Sequence, residues 1–497
     1  MNNCGISRWD DPDKINSALK ALTREPIWEV NDEYYENVIL KYYEEKCSRS
    51  KAIFEEAKDY IPGGVQHNLA FNKPFPVAFR KAEGAYLYDE DGNRYIDFLQ
   101  AGGPTILGSN YKPVREAVYG LLEDCGPVTG LLHEAELLIA KEINRHMPNV
   151  EMFRMLGSGT ESVMAAIRIA RIATGKKRVI KIGGAYHGWS DQMVYGLKIP
   201  GSRGLLESHG IPGSAYKRTD EVRPNDLNML EGMLRLNKAR GGTAAVIVEP
   251  VGPESGTRPV AKEYNKGVRE LCDKYGALLI FDEVVTGFRV ALGGAQEYFG
   301  VVPDLTVFGK IVAGGYPQAG GVGGKREYVQ LMAAGLATGK HRAYVGGTLA
   351  ANPLSALAGY TAIKEIARTN ACEIAGRAGD RLADGLKESI GRRGLPFVVY
   401  NQGSIVHLEC TGAMSFDFSS YFMPKSALGL LKNKDMMYER KDSMERMGAA
   451  YMANGLVTLA GSRLYTSMAD TDEIIDEALD RFDRVFSQVV RTGKGLK

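Results

Sequence analysis

The sequence predicts an α/β fold built on a doubly wound, mostly parallel sheet. Two observations carry that expectation. Short apolar runs recur at 152–156, 178–182, 243–249, 277–281 and 305–308, and stretches of helical character fall among them. These runs are largely continuous rather than alternating, as expected of strands buried on both faces. Glycines, 58 in all, cluster beside several of them, which suits tight turns and close approach of backbone to a ligand.

The chain supports this in order. Residues 1 to about 50 are polar, with helical spacing in INSALKAL and YYENVILKYYEEK, and read as an N-terminal arm. A helix is expected over 50–60, stopped by Ile61-Pro62-Gly63-Gly64. A loop with His67 and Asn68 follows. FRKAEGAYLYDEDGNRYIDFL alternates apolar and polar residues around Asp91-Gly92, the pattern of a hairpin. Helices are expected over 113–124 and 133–146.

The strand at 152–156 runs into Gly157-Ser158-Gly159-Thr160, and then the helix ESVMAAIRIARIAT begins. Strand, glycine-rich turn and helix N-terminus together make an anion site, because backbone N–H groups and the helix dipole face the ligand. Taken alone, the segment fits a plain helix start capped by Ser158 or Thr160 equally well. The strand at 178–182 ends in Gly183-Gly184-Ala185-Tyr186-His187-Gly188-Trp189, whose aromatic residues could stack on a flat ring. A helix over 264–275 feeds the strand at 277–281.

Asp282 leaves the end of that strand, and Lys310 follows the strand at 305–308 almost at once. Ligands of open α/β sheets sit at the carboxyl ends of the strands. A lysine there can form a Schiff base with an aldehyde, and a carboxylate can keep a pyridine nitrogen protonated. The pair describes pyridoxal phosphate (PLP). With both residues in the chain, the phosphate reading of the 157–160 turn is preferred over the plain cap.

Beyond Lys310, GGVGGK at 320–325 resembles a P-loop but fails it: position 319 is Ala and 326 is Arg. No GxGxxG follows a strand and opens a helix. A helix is expected around 353–366. Helices near 378–390 and over 472–489, with strands near 397–400 and 405–408, indicate a smaller α/β domain, and 424–447 reads as helical. The expected division is an arm at 1–50, a segment at 51–115 joining the small domain, a large domain at 116–365 and a C-terminal small domain at 366–497.

Composition narrows the function. In 497 residues, 44% are apolar and 25% charged, ordinary for a globular protein, and the net charge of +2 favours neither nucleic acid nor membrane. Six scattered cysteines without a CxxC pair give no zinc site and no disulfide framework, which fits a reduced, cytoplasmic setting. The N-terminus lacks a signal-peptide pattern, and no apolar run reaches ~18 residues.

IPGGV, GAYLYDEDGNRYIDF, GSGTES, YHG, FDEVVTGFR, FGKIVAGGYP and GGTLAANPLSALAG occur in this order. Together they resemble the class-III aminotransferases, PLP enzymes of fold type I, and within them most the glutamate-1-semialdehyde aminomutases. The resemblance implies a large domain with a mostly parallel, seven-stranded-type sheet and a smaller α/β domain from both chain ends. It implies Lys310 as the Schiff-base lysine and proton shuttle, acting on an amine or amino acid through a quinonoid. It gives the cofactor Asp282, Val284 and Tyr186 on its ring, with His187 beside them in YHG, and Ser158, Gly159 and Thr160 on its phosphate. Gly347-Thr348 would reach the phosphate of a second subunit, which implies a homodimer. His67 stands where the aminomutase pattern has serine and Ala70 where it has arginine. His67 and Asn68 are therefore candidate substrate contacts on a divergent loop. Transfer of the amino group to an oxo acid is the leading expectation. Aminomutation, epimerisation and elimination of ammonia are the alternatives, and no metal or nucleic acid is expected.

Overall fold

The computed structural model describes residues 3–126, 128–201, 208–335, 341–419 and 423–495, the side chains of 423–427 excepted. The chain forms two compact units. One comprises 1–13, 112–373 and 417–432, the other 14–111, 374–416 and 433–497.

The first unit is built on a seven-stranded sheet, whose strands are numbered here in chain order. They are β1 (Met152–Leu156), β2 (Arg178–Ile182), β3 (Thr219–Val222), β4 (Thr243–Val248), β5 (Leu278–Asp282), β6 (Leu305–Gly309) and β7 (Gly320–Gly324). Their spatial order is β1-β7-β6-β5-β4-β2-β3. β7 runs antiparallel to both neighbours, and the pairings from β6 through to β3 are parallel. The expected mostly parallel α/β sheet is therefore present.

Both faces are covered, which explains the continuous apolar strands. Val163, Ala166 and Ala170 of the helix Gly159–Thr174 pack with Leu156, Ile247 and Ile280. On the other face, Leu230 and Leu234 of Leu227–Lys238 and Val268 and Cys272 of Tyr264–Tyr275 pack with Ile180, Val246 and Leu279.

Two strands of this sheet carry no apolar run. β3 reads Thr-Asp-Glu-Val, and its carboxylates have partners: buried Asp220 takes Arg178 Nη1 at 3.0 Å, and partly buried Glu221 accepts Gly201 N–H at 2.6 Å. β7 is Gly-Gly-Val-Gly-Gly, the segment that resembles a P-loop. Its glycines are there for contact: a Cβ on Gly320 would collide with the Ser158 backbone, and one on Gly321 with the Phe153 ring.

In the second unit, Tyr86–Asp89 pairs with Phe79–Glu83 and Arg94–Asp97, the expected hairpin region. The antiparallel strands Val398–Gln402, Ile405–Glu409 and Arg463–Tyr465 form another sheet. The division differs from the expected one. Residues 14–50 are no separate arm: Trp28–Val30 pairs with Val489–Arg491, and Ile39 and Tyr43 lie in the core with Leu382 and Phe482. Residues 1–13 and 417–432 belong instead with the large sheet. The last helix ends at Phe486, ahead of that C-terminal strand. A fully buried arginine, Arg440, fastens the chain ends by donating to the carbonyls of Leu22, Thr23, Glu25, Thr411 and Gly495. No described helix is long and apolar enough to cross a membrane.

Candidate active site

The carboxyl ends of β1, β2, β4, β5 and β6 bring most of the expected residues to one edge. β1 ends at the turn before Gly159–Thr174. Ser158 is the N-cap of that helix, its Oγ accepting Glu161 N–H at 3.2 Å, while Glu161 Oε2 accepts Gly157 N–H at 2.9 Å. This reciprocal pair is a form of capping box. The cap reading is thus realised, and it leaves the Ser158 O–H and the first-turn N–H groups of Gly159 and Thr160 at the positive end of the helix dipole.

Three contacts knit the strand ends together. Val284 lies between two glycines: a Cβ on Gly159 would stand 3.0 Å from its isopropyl group, and one on Gly309 2.8 Å. Gly188, at φ +82°, backs onto Thr160 so closely that no side chain would fit. His187 Nδ1 donates to Asp282 Oδ2 at 2.7 Å, with both side chains buried. Asp282 Oδ1 accepts Val284 N–H at 3.1 Å. Burial holds the His187 pKa below its ordinary value, against the pull of Asp282 and with a smaller push from Lys181.

Lys310 follows Gly309 directly and takes φ +50°, a left-handed conformation that costs a non-glycine residue of order 1 kcal/mol or more. Its side chain is partly buried. Among the described residues its Nζ has no hydrogen-bond partner. Tyr186 is 48% exposed, and burial of the remainder raises its hydroxyl pKa.

A residue that sequence reasoning passed over stands in the same place. Glu249 follows β4 directly and is buried, and its carboxyl accepts N–H groups from Tyr186 at 2.9 Å, Glu254 at 2.9 Å and Ser255 at 2.7 Å. The last two donors lie in PVGPESG, where Glu254 and Ser255 both take positive φ. Burial, then the charges of Asp282 and Glu254, push the Glu249 pKa up to about 8. The available signal was a carboxylate ending a buried strand, as at Asp282.

Three further expected residues are exposed. Thr348 is exposed on a loop whose Gly347 faces Glu161 of the same chain, a Cβ there standing 3.6 Å from Oε2. His67 and Asn68 belong to the second unit. Both are exposed, and His67 Nδ1 accepts Leu69 N–H at 3.1 Å as the cap of a short turn. No group of acidic, histidine or cysteine side chains suited to a metal occurs among the described residues.

The sequence pattern named Aminotransferase class-III matches residues 70–486. The chain belongs to the class-III aminotransferase family. A relative in this family, glutamate-1-semialdehyde 2,1-aminomutase of Syntrophobacter fumaroxidans, is 40% identical over 379 residues, 75% of this chain and 85% of that protein. Among solved structures, an omega-transaminase from Sphaerobacter thermophilus is 28% identical with a TM-score of 0.77, covering 90% of this chain and 99% of that one. A transaminase with PLP bound is 26% identical, also at a TM-score of 0.77, covering 89% of this chain and 98% of that one. The side chains of this class-III protein fit such a cofactor. The buried Asp282 carboxyl suits a pyridinium nitrogen, the helix N-terminus suits a phosphate, and among the described residues the Lys310 amine has no competing hydrogen-bond partner.

Proposed function

We propose that this protein is a PLP enzyme that passes the amino group of a small amine or amino acid to an oxo acid. The observation that carries the reading is the delivery of Asp282 and Lys310 to the same edge by neighbouring parallel strands, one buried and braced by His187, the other presenting an amine with no hydrogen-bond partner among the described residues. PLP would supply an aldehyde for amino groups and a ring that draws electrons from the carbon bearing them.

The chain does the rest. Asp282 holds the proton on the ring nitrogen, and His187 fixes the orientation of that carboxylate. Ser158, Gly159 and Thr160 bind the phosphate with their hydroxyls and N–H groups. Val284, clamped between Gly159 and Gly309, would offer a methyl surface to the cofactor ring, and the half-exposed Tyr186 would stack on it. Lys310 would hold the cofactor through its amine, and its Nζ, when free, would take up and return the proton of the substrate carbon.

Amino-group migration within one molecule is the second reading, favoured by the 40% identity to an aminomutase. Against it, residues 62–71 contain no arginine or lysine to pair with a substrate carboxylate. The test is the acceptor requirement. Transfer predicts that an amine yields one equivalent of carbonyl product per site and turns over further only when an oxo acid is added. Continued turnover without an acceptor would establish rearrangement or elimination instead.

A second copy of the chain completes the reading. A cavity of about 590 Å³ is bounded by Gly346–Thr348, Leu131 and Leu132, and Leu131 and Leu132 are 66% and 90% exposed. Apolar side chains so exposed beside a cavity suit a homodimer, in which Thr348 would serve the partner's phosphate. Sedimentation at a single monomeric mass would remove this part of the proposal.

A further inference from the structure

Strand β2 reads Arg-Val-Ile-Lys-Ile, and Lys181 stands within it at 0% exposure. An ammonium in such a place persists only if its hydrogen-bonding capacity is met. Its Nζ donates to the carbonyls of Tyr195 at 2.7 Å, Ala185 at 3.1 Å and Met193 at 3.3 Å. It also lies 5.2 Å from the centroid of the Tyr195 ring.

Those carbonyls stand at the two ends of the segment that carries Tyr186, His187 and Gly188. The ends are joined by Gly184 N–H to Gly196 O at 2.9 Å, and Tyr195 Oη donates to Thr219 O at 3.0 Å. Its middle reaches the site already described, through His187 on Asp282 and Gly188 on Thr160. A buried cation thus draws together the base of a loop whose tip braces the acid at 282.

The imidazole adds a second, independent observation. His187 Nε2 is buried and has no hydrogen-bond partner among the described residues. A ring protonated only on Nδ1 satisfies its one N–H through Asp282, whereas an imidazolium would leave a buried N–H unmet. The charged groups that act on the ring are Asp282 from β5 and Lys181 from β2, and the positive charge of Lys181 favours the neutral ring.

We propose that Lys181 is a positioning residue for the cofactor site: its ammonium moulds the 185–195 loop so that a neutral His187 donates to Asp282 and Tyr186 is held at the same edge. This rests on the reading of the site given under Proposed function.

The test compares wild type with Lys181→Met, which keeps volume and removes the donors, and Lys181→Arg, which keeps the charge. ¹⁵N-histidine NMR is recorded on cofactor-free and PLP-loaded protein, and PLP affinity is measured by fluorescence. Wild type should show His187 neutral and protonated on Nδ1 at neutral pH. In K181M the His187 signal should titrate closer to neutral pH, and PLP affinity should fall by about 10–100-fold, as for other residues that orient a primary ligand. K181R should lose less of both. K181M with a wild-type His187 signal and PLP affinity would overturn the proposal. So would a His187 imidazolium in wild type at neutral pH, a result that stands even if K181M does not fold. Wild type that binds no PLP would instead defeat the reading of the site, while the cofactor-free spectra would still report on Lys181 and His187.

Discussion

Asp282 and Glu249 leave adjacent parallel strands one residue beyond the paired positions Phe281 and Val248, and they are 6% and 7% exposed. Their partners differ. Asp282 accepts an imidazole N–H and its own loop's Val284 N–H. Glu249 is ringed by three backbone N–H groups, two of them from positive-φ residues, and its pKa is driven up to about 8 by burial and then by Asp282 itself. Burial beside other carboxylates makes Glu249 hold its proton well above the ordinary carboxyl range. On the proposed reading Asp282 serves the cofactor ring, while Glu249 gathers the backbone of the loops beside it.

The largest expected effect breaks the pair on the Asp282 side. Asp282→Asn removes the charge that keeps the ring nitrogen protonated and should lower kcat by about 10²–10³-fold, the scale of losing one aligned electrostatic stabiliser. Glu249→Gln should cost only about tenfold, mainly in KM, because it disturbs the seat of Tyr186 rather than the ring. Steady-state kinetics with one amine would settle the order, and equal losses in kcat would remove the distinction.

Next comes pH. The Glu249 pKa rises on folding from an ordinary value of 4.5 to about 8. Its stabilising contribution is therefore fully present below about 4.5 and is lost as pH rises through about 8. Glu249→Gln should flatten this part of the stability–pH curve, measured by urea denaturation. Parallel curves for the two proteins would show that Glu249 carries no such shift.

The smallest effect concerns the phosphate turn. Ser158→Ala deletes a helix cap and should cost about 1 kcal/mol of stability. A proportionally larger loss of PLP affinity would show that the hydroxyl also serves the cofactor. An unchanged affinity would leave it a cap alone.

Legibility of the sequence followed the same physical lines. Strands buried on both faces announced themselves because burial demands apolar runs, so Met152–Leu156 and Arg178–Ile182 were read to the residue. Thr219–Val222 was missed because its polar side chains find partners only in the fold, and Gly320–Gly324 because the space for its side chains is taken by Ser158 and Phe153. Asp282 and Lys310 were legible as a pair of residue types at strand ends. Glu249 and Lys181 were not, because their roles lie in backbone groups they gather from distant segments. The place of residues 14–50 in the second unit was hidden for a related reason: the pairing of Trp28–Val30 with Val489–Arg491 is long-range and leaves no local signal.

The most direct test of the account is where the cofactor attaches. Borohydride reduction of PLP-saturated protein, followed by peptide mapping, should place the phosphopyridoxyl group on Lys310, and Lys310→Ala should take up none. Label on another lysine, or none on protein that has bound PLP, would contradict the account.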